Sequence, residues 1–318
     1  MKTQELHCVT GAYGYSGKYI AERLLERGHD VFTLTNAPDR PNPFAGRVPA
    51  LPFHFDDEVQ LTRALEGVSV LYNTYWVRFN HRLFQHADAV RNTQVLFRAA
   101  KAAGVQRIVH VSITNPDETS PLEYFRGKAT LERSLRETGI PHTMLRPAVL
   151  FGREDVLINN IAWALRRFPL FGVFGNGAYR LQPIHVDDFA DLAVREGSAE
   201  GDRVVNAIGP ETYTYRALVD EIGAAIQRPR RIVSVPPILG WLAGTLVGWR
   251  QGDVFITRDE IKGLMADMLC VDTPPTGTTR LSNWARANGD SLGLHYSNEL
   301  ARRIHRGQAY AALNRRSV

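Results

Sequence analysis

The stretch LHCVTGAYGYSGKYIAERLLERGHDVFTLT, from Leu6 to Thr35, restricts the fold more than any other part of the chain. LHCVT is a short apolar run ending at glycine, the pattern of a strand buried on both faces. Gly11, Gly14 and Gly17 follow at intervals of three. Ile20, Ala21, Leu24 and Leu25 then share one helical face, Gly28 supplies a stop, and DVFTLT reads as a second strand. Such a unit suits a bound pyrophosphate. A first glycine permits the tight turn, and a second lets phosphates approach the backbone. The third lets the helix pack close to the strand with its N-terminus toward the anion. In this strand-to-helix setting the pattern favours dinucleotide binding over a merely structural turn, with Gly11, Tyr13, Gly14, Tyr15, Ser16 and Gly17 as contact residues.

The alternation continues. LPFHF is a strand candidate, followed by Asp56 and Asp57, which could cap a helix or meet an adenine. VSVLYNTYW is the next strand, and Asn73, Thr74 and Tyr75 at its C-terminal end would face a cofactor crevice. A helical pattern runs from about Leu83 to Ala103 and stops at Gly104; RIVHVSITN and HTMLRP are the fifth and sixth strands. Strands alternating with helices predict an α/β fold, a doubly wound parallel sheet with ligands outside the C-terminal strand ends. Adenosine selectivity is set just after the second strand, where a carboxylate would hold a ribose 2′-hydroxyl. Thr35 and Asn36 stand there instead. Arg40 is within reach of a 2′-phosphate, which favours NADP(H) over NAD(H); its alternative, a surface charge on a loop, stays open.

EYFRGK, residues 123–128, puts Tyr124 and Lys128 four apart at a helix start. Taken alone, that is the ordinary pattern of an aromatic tucked on the core beside a solvated lysine. The topology changes the odds, because Ser112 and Thr114 fall at the end of the fifth strand and Tyr124 and Lys128 share the face of the helix that follows. A phenol with a pKa near 10 is a poor proton shuttle at neutral pH unless a cation lowers it. Lys128 is spaced to supply that charge and to hold a nicotinamide ribose, while a strand-end hydroxyl would orient a substrate carbonyl.

Thr10 with the three glycines resembles the TGxxGxxG of extended short-chain dehydrogenase/reductases, and Ser112, Thr114, Tyr124 and Lys128 resemble their Ser/Thr, Tyr-x-x-x-Lys active site. LRPAVLFG, with Pro147, looks like the Arg-Pro segment after their sixth strand, and QPIHVDDFADLAV like a later helix entry. The chain is most similar to epimerase/dehydratase-type and NmrA-like members, and to the nucleotide-binding accessory subunit of respiratory complex I. The resemblance implies a Rossmann fold with a smaller, mainly helical C-terminal substrate lobe. The expected division is 1–150 with 181–209 as cofactor core, and 151–180 with 210–318 as the lobe. Only twelve positions separate Ser112 from Tyr124, and SIT stands where epimerases carry consecutive serines. Either Thr114 or Ser112 can then take the hydroxyl role.

In the lobe, Arg153, Asn159, Asn160 and Arg180 are candidate substrate contacts, each also readable as structural. PPILGWLAGTLVGW, residues 236–249, is too short to span a bilayer. Gly240, Gly244 and Gly248 give it one smooth face for close packing, the preferred reading, with peripheral membrane or protein docking as the alternative. RDEIKGLMADML reads as another amphipathic helix, with Ile261, Leu264, Met265 and Met268 on one side. Hydrophobic content of 44% and charged content of 22% exclude a disordered chain, and the start shows no secretion signal. Cys8 and Cys270 lack metal-type spacing, so no metal is expected and a reducing, cytoplasmic setting fits, with membrane-peripheral association left open. The net charge of +5 is scattered apart from Arg302, Arg303, Arg306, Arg315 and Arg316, which read as a solvated terminus, so nucleic acid is not expected as a partner. The leading expectation is an oxidoreductase or epimerase acting on a small molecule. Its rival is a non-catalytic nucleotide-binding sensor or assembly subunit. A homo-oligomer is compatible with either.

Overall fold

A computed structural model describes residues 5–310 and 313. They form two compact units, one of residues up to Pro147 with Phe189–Ala207, the other of Ala148–Asp188 with the chain from Ile208. The first begins with β1 (Leu6–Thr10), α1 (Ser16–Glu26) and β2 (Asp30–Thr35). Between α1 and β2 the chain reverses at Gly28, whose φ of +81° a side chain would resist. β3 (Ala50–Pro52) is shorter than LPFHF suggests, because the chain leaves the ladder to enter α2 (Glu58–Ala64), capped by the Asp57 carboxylate on the Gln60 N–H at 3.0 Å. After β4 (Val68–Asn73), α3 (His86–Ala102) starts at His86 rather than Leu83. The backbones of His81 and Phe84 bond each other at 2.8 and 3.0 Å, and that turn consumes the expected first residues. β5 (Arg107–Val111), α4 (Glu123–Thr138) and β6 (His142–Pro147) follow, with left-handed Gly139 ending α4.

The chain then builds β7 (Val149–Phe151), α5 (Leu157–Arg167), β8 (Leu170–Phe174), β9 (Arg180–Leu181) and β10 (Pro183–His185) in the second unit. α6 (Val186–Gly197) leads back to the first, which β11 (Arg203–Ala207) completes. The rest of the second unit is β12 (Tyr213–Thr214), α7 (Tyr215–Ala225), β13 (Arg231–Val235), α8 (Pro237–Gln251), α9 (Arg258–Met265), α10 (Leu281–Ala287) and α11 (Glu299–Ile304).

The first unit is a parallel seven-stranded sheet in the order β11-β6-β5-β4-β1-β2-β3. The order reverses between β1 and β4, which makes the C-terminal ends of those strands the switch point where doubly wound sheets bind ligands. Cys8, Leu34, Leu71, Leu96, Ile108 and Leu131 form much of a core beside it.

The second unit has its own core, including Phe151, Ile158, Leu165, Val173, Leu218 and Ile222. Residues 181–188 group with it because β10 pairs with β7 and β9 with β12. In α8, Gly240 lies against the Phe174 ring and Val235, Gly244 against Ile256, and Gly248 against the Asp253 backbone. The large side chains Ile238, Leu239, Leu242, Leu246 and Trp249 point outward and are exposed. α9 is shorter than its sequence pattern. Ile261 is buried, Met265 is 41% exposed, and the chain turns at Asp267 (φ +59°) before Met268 can extend the face. Among the described residues, no helix is long and apolar enough to cross a membrane.

Candidate functional site

The glycine turn joins β1 to α1. Gly11 takes φ +66° and donates its N–H to Leu34 at 2.9 Å, while the Gly14 N–H closes the turn on the Gly11 carbonyl at 2.8 Å. A Cβ on Gly17 would come 2.5 Å from the Gly11 oxygen, so the third glycine is what lets α1 start directly over the turn. A Cβ on Gly14 would sit 3.1 Å from that same oxygen, a tight but smaller intrusion. No side chain caps α1, whose N-terminus is at Tyr15 and Ser16. A backbone cradle stripped of Cβ atoms under an uncapped helix start fits a pyrophosphate. Tyr13 braces the turn by donating its hydroxyl to the Val48 carbonyl at 2.6 Å.

The turn is tied to the end of β4. The Thr10 hydroxyl oxygen accepts the N–H groups of Thr74 at 2.7 Å and Tyr75 at 3.1 Å, and the Thr74 hydroxyl donates back to the Thr10 carbonyl at 2.5 Å. Asn73, expected to face a cofactor, is fully buried. Its Oδ1 accepts the Tyr75 N–H at 3.1 Å and its Nδ2 lies 3.0 Å from Nδ1 of His110. That orientation makes Nδ1 an acceptor, in keeping with burial, then the charge of Lys128, holding His110 well below its ordinary pKa. Asn73 therefore shapes the loop from within. Tyr75 is half-buried, its hydroxyl accepting from Asn92 at 3.1 Å and its ring against Phe53 and Phe55 at 5.1 Å. On the adenosine side Asn36 is exposed, and Arg40 is only 8% exposed, which removes the reading of Arg40 as a loop surface charge. Asp56 is exposed, and its neighbour Asp57 is the residue that caps a helix.

EYFRGK opens α4 as expected, and its lysine is not solvated. Lys128 is 2% exposed, donates from Nζ to the Val111 carbonyl at 2.7 Å, and holds its ammonium 4.3 Å from the centre of the Trp76 ring. Burial pulls it down to about 7, against the opposing pull of Glu132. Glu132 is itself engaged by Arg146, whose Nε donates to it at 2.8 Å. Val111 ends β5, so this bond pins α4 to the strand end from which Ser112 and Thr114 continue. Both are buried; the Ser112 hydroxyl has no hydrogen-bond partner, and the Thr114 N–H donates to the Pro147 carbonyl at 3.1 Å.

Trp76 and His86 went unrecognised in the sequence. Trp76 stacks on His86 with ring centres 5.7 Å apart and meets half-buried Tyr124 edge-on at 5.5 Å. The readable signal was Gly127, inside the motif. A Cβ there would come 2.9 Å from the Trp76 ring.

Other candidates fare differently. Asn159 donates to the Asp155 carboxylate at 2.9 Å, Asn160 exchanges bonds with Ser297, and Arg180 pairs with Asp267, so these three brace the second unit. Burial raises Asp155 to about 7. Of the terminal arginines, Arg302 is buried beside the Tyr310 ring and Arg303 pairs with Glu299 at 2.7 Å, while Arg315 and Arg316 lie outside the described residues. One group of side chains has the composition of a metal site. Glu5, His7 and His29 gather within 4.8 Å at the starts of β1 and β2, the opposite end of those strands from the glycine turn. Burial, then His29, holds His7 at about 4.

Residues 11–159 match the family described as NAD(P)H-binding. The chain is 25% identical over 240 residues to NADH dehydrogenase (ubiquinone) 1 alpha subcomplex subunit 9, mitochondrial, of Arabidopsis thaliana, covering 72% of this chain and 60% of that one. It thus spans about three fifths of the length of such relatives. Among solved structures, triphenylmethane reductase of Citrobacter sp. superposes with a TM-score of 0.74 at 16% identity, over 90% of this chain and 99% of that one. NADPH-dependent quinone oxidoreductase QOR2 of Escherichia coli, complexed with NADPH, gives 0.71 at 22%, over 88% and 99%. The glycine cradle at the switch point, the matched stretch and the shared fold agree: residues 11–159 match an NAD(P)H-binding family, and they lie on the doubly wound parallel sheet that this chain shares with these reductases.

Proposed function

We propose that the protein is an NAD(P)H-dependent oxidoreductase of a small carbonyl or hydroxyl compound, epimerisation by transient oxidation being a variant of the same chemistry. The observation that carries it is the burial of Lys128 under Trp76, one helical turn from Tyr124 and bonded to the strand end that leads into Ser112. A desolvated ammonium is costly to keep unless its charge is used. Here it would lower the pKa of the Tyr124 phenol, so that Tyr124 passes a proton to or from the substrate oxygen. The buried, unpartnered hydroxyl of Ser112 would orient that oxygen, with Thr114 as the alternative. A bound nicotinamide would supply the hydride to a carbonyl in its reduced form, or take it from a hydroxyl compound in its oxidised form. Gly11, Gly14, Gly17 and the start of α1 would hold its pyrophosphate. Asn36 in place of a carboxylate, with Arg40 nearby, favours NADP(H).

A second reading, a non-catalytic nucleotide-binding subunit, is favoured by the apolar outward face of α8 and by relatives named as subunits of a respiratory complex. One experiment separates the two. Carbonyl compounds and quinones are screened for NADPH oxidation, and Tyr124→Phe is measured on any substrate found. Proton transfer by Tyr124 predicts a loss in turnover of roughly 100-fold or more with NADPH affinity intact. A wild-type rate in the variant would refute that role, and NADPH binding without any turnover would favour the second reading.

A further inference from the structure

We propose that α8 docks the protein on an anionic lipid bilayer, lying along the headgroups rather than crossing them. A helix made for water turns its large apolar residues inward. α8 does the reverse. Its glycines face the second unit, while Ile238 is 51%, Leu242 50%, Leu246 66% and Trp249 81% exposed. Thr245 spends its hydroxyl on the Trp241 carbonyl at 2.9 Å, and Arg250 stands in the last turn. On the same unit Leu170 of β8 is also 50% exposed, paired in register with Arg231 of β13.

Length and charge select the occupant. The helix has 15 residues, short of the ~20 that span a hydrocarbon core, so it fits a bilayer's surface and not its interior. From Arg228 to Gly252 the chain carries four arginines and no acidic residue. Arg258 adds a guanidinium 4.0 Å from the Trp241 ring. The carboxylates that follow are engaged elsewhere. Asp253 is buried and accepts from the Tyr296 hydroxyl at 2.9 Å, Glu260 closes the capping box of α9, and Asp259 lies 3.7 Å from Lys262. An apolar helix bordered by arginines, with a tryptophan at one end, matches the apolar-to-anionic boundary of a lipid leaflet.

The residues involved lie in the second unit, so the proposal stands apart from the redox reading. The full chain is sedimented with vesicles of phosphatidylcholine alone and of phosphatidylcholine with about one third phosphatidylglycerol. Binding to the anionic vesicles, a blue shift of tryptophan emission, and several-fold weakening by salt are expected. Leu242→Asp with Leu246→Asp should lower the bound fraction at least 10-fold, with circular dichroism showing an unchanged fold. Arg231→Glu with Arg250→Glu should lower it several-fold. Wild-type protein remaining in solution with both vesicle types would overturn the proposal. So would a dimer in solution that Leu246→Asp dissociates, since that would give the face to a second copy.

Discussion

Two rows of three glycines do opposite work in this chain. Gly11, Gly14 and Gly17 stand three apart in a turn, and Gly240, Gly244 and Gly248 stand four apart on a helix. Both rows remove Cβ atoms that would collide. In the turn the collision is with the chain's own backbone at Gly11, and the space kept clear lies at the end of β1, where a ligand approaches. On α8 the collisions are with Phe174, Ile256 and Asp253, partners already in place, so the space is filled by the fold itself. A row of glycines therefore means little until the element beneath it is known. On a strand-to-helix turn it leaves room for a ligand. On a helix it sets a contact and sends the remaining side chains outward.

The largest expected effect tests the first row. Gly14→Val adds a side chain where the pyrophosphate should lie, and its own contact with the Gly11 oxygen, 3.1 Å from the Cβ, needs only a small adjustment. Calorimetric titration should show NADPH affinity falling by roughly 100-fold or more with the fold intact, and wild type binding NADPH at least as tightly as NADH. Gly17→Ala should instead lose binding and thermal stability together, because its Cβ meets backbone at 2.5 Å. Unchanged affinity in Gly14→Val would erase the distinction between the rows.

The second row should respond in stability alone. In Gly240→Ala the Cβ would lie 2.5 Å from the Phe174 ring, which is buried and has little room to move. Overpacking of this kind costs about 1–3 kcal/mol. Denaturant unfolding of the variant should show that loss, while nucleotide affinity stays at the wild-type value. A variant as stable as wild type would mean that α8 is not held by its glycine face.

The contrast also explains what could be read before the fold was known. The order of strands was legible because β1, β2, β4, β5 and β6 are apolar runs of five or six residues, each bounded by turns or helical patterns. The point of return from the second unit was not, since β9 and β10 have two and three residues, too few for any period to show. Tyr124 and Lys128 were legible as an i, i+4 pair, and the glycine turn by its spacing. Trp76 was not, because its contact with Lys128 joins residues 52 positions apart and depends on Gly127 admitting the ring. Asn73 was placed correctly at a strand end, but its amide turns inward, a choice made by His110 and Tyr75 rather than by local pattern.

The smallest expected effect asks whether the ligand end of the molecule carries a cost that the packing region lacks. Burial depresses Lys128 to about 7, whereas an unfolded lysine titrates near 10.4. Between those values the unfolded chain binds more protons than the folded one, so this group's contribution to stability rises with pH across that window. Below about 7 the ammonium is charged in both states and the full penalty of burying it remains. Lys128→Met removes the titration along with the bond to the Val111 carbonyl, so the useful quantity is the change with pH rather than the absolute difference. From pH 6 to pH 8 the stability of wild type should rise relative to the variant by about 1.4 kcal/mol, one pKa unit's worth of linkage. Urea unfolding at both pH values measures it. A difference that stays constant would mean that Lys128 titrates near its ordinary value and stays charged across this range, so that burying it carries no pH-dependent cost.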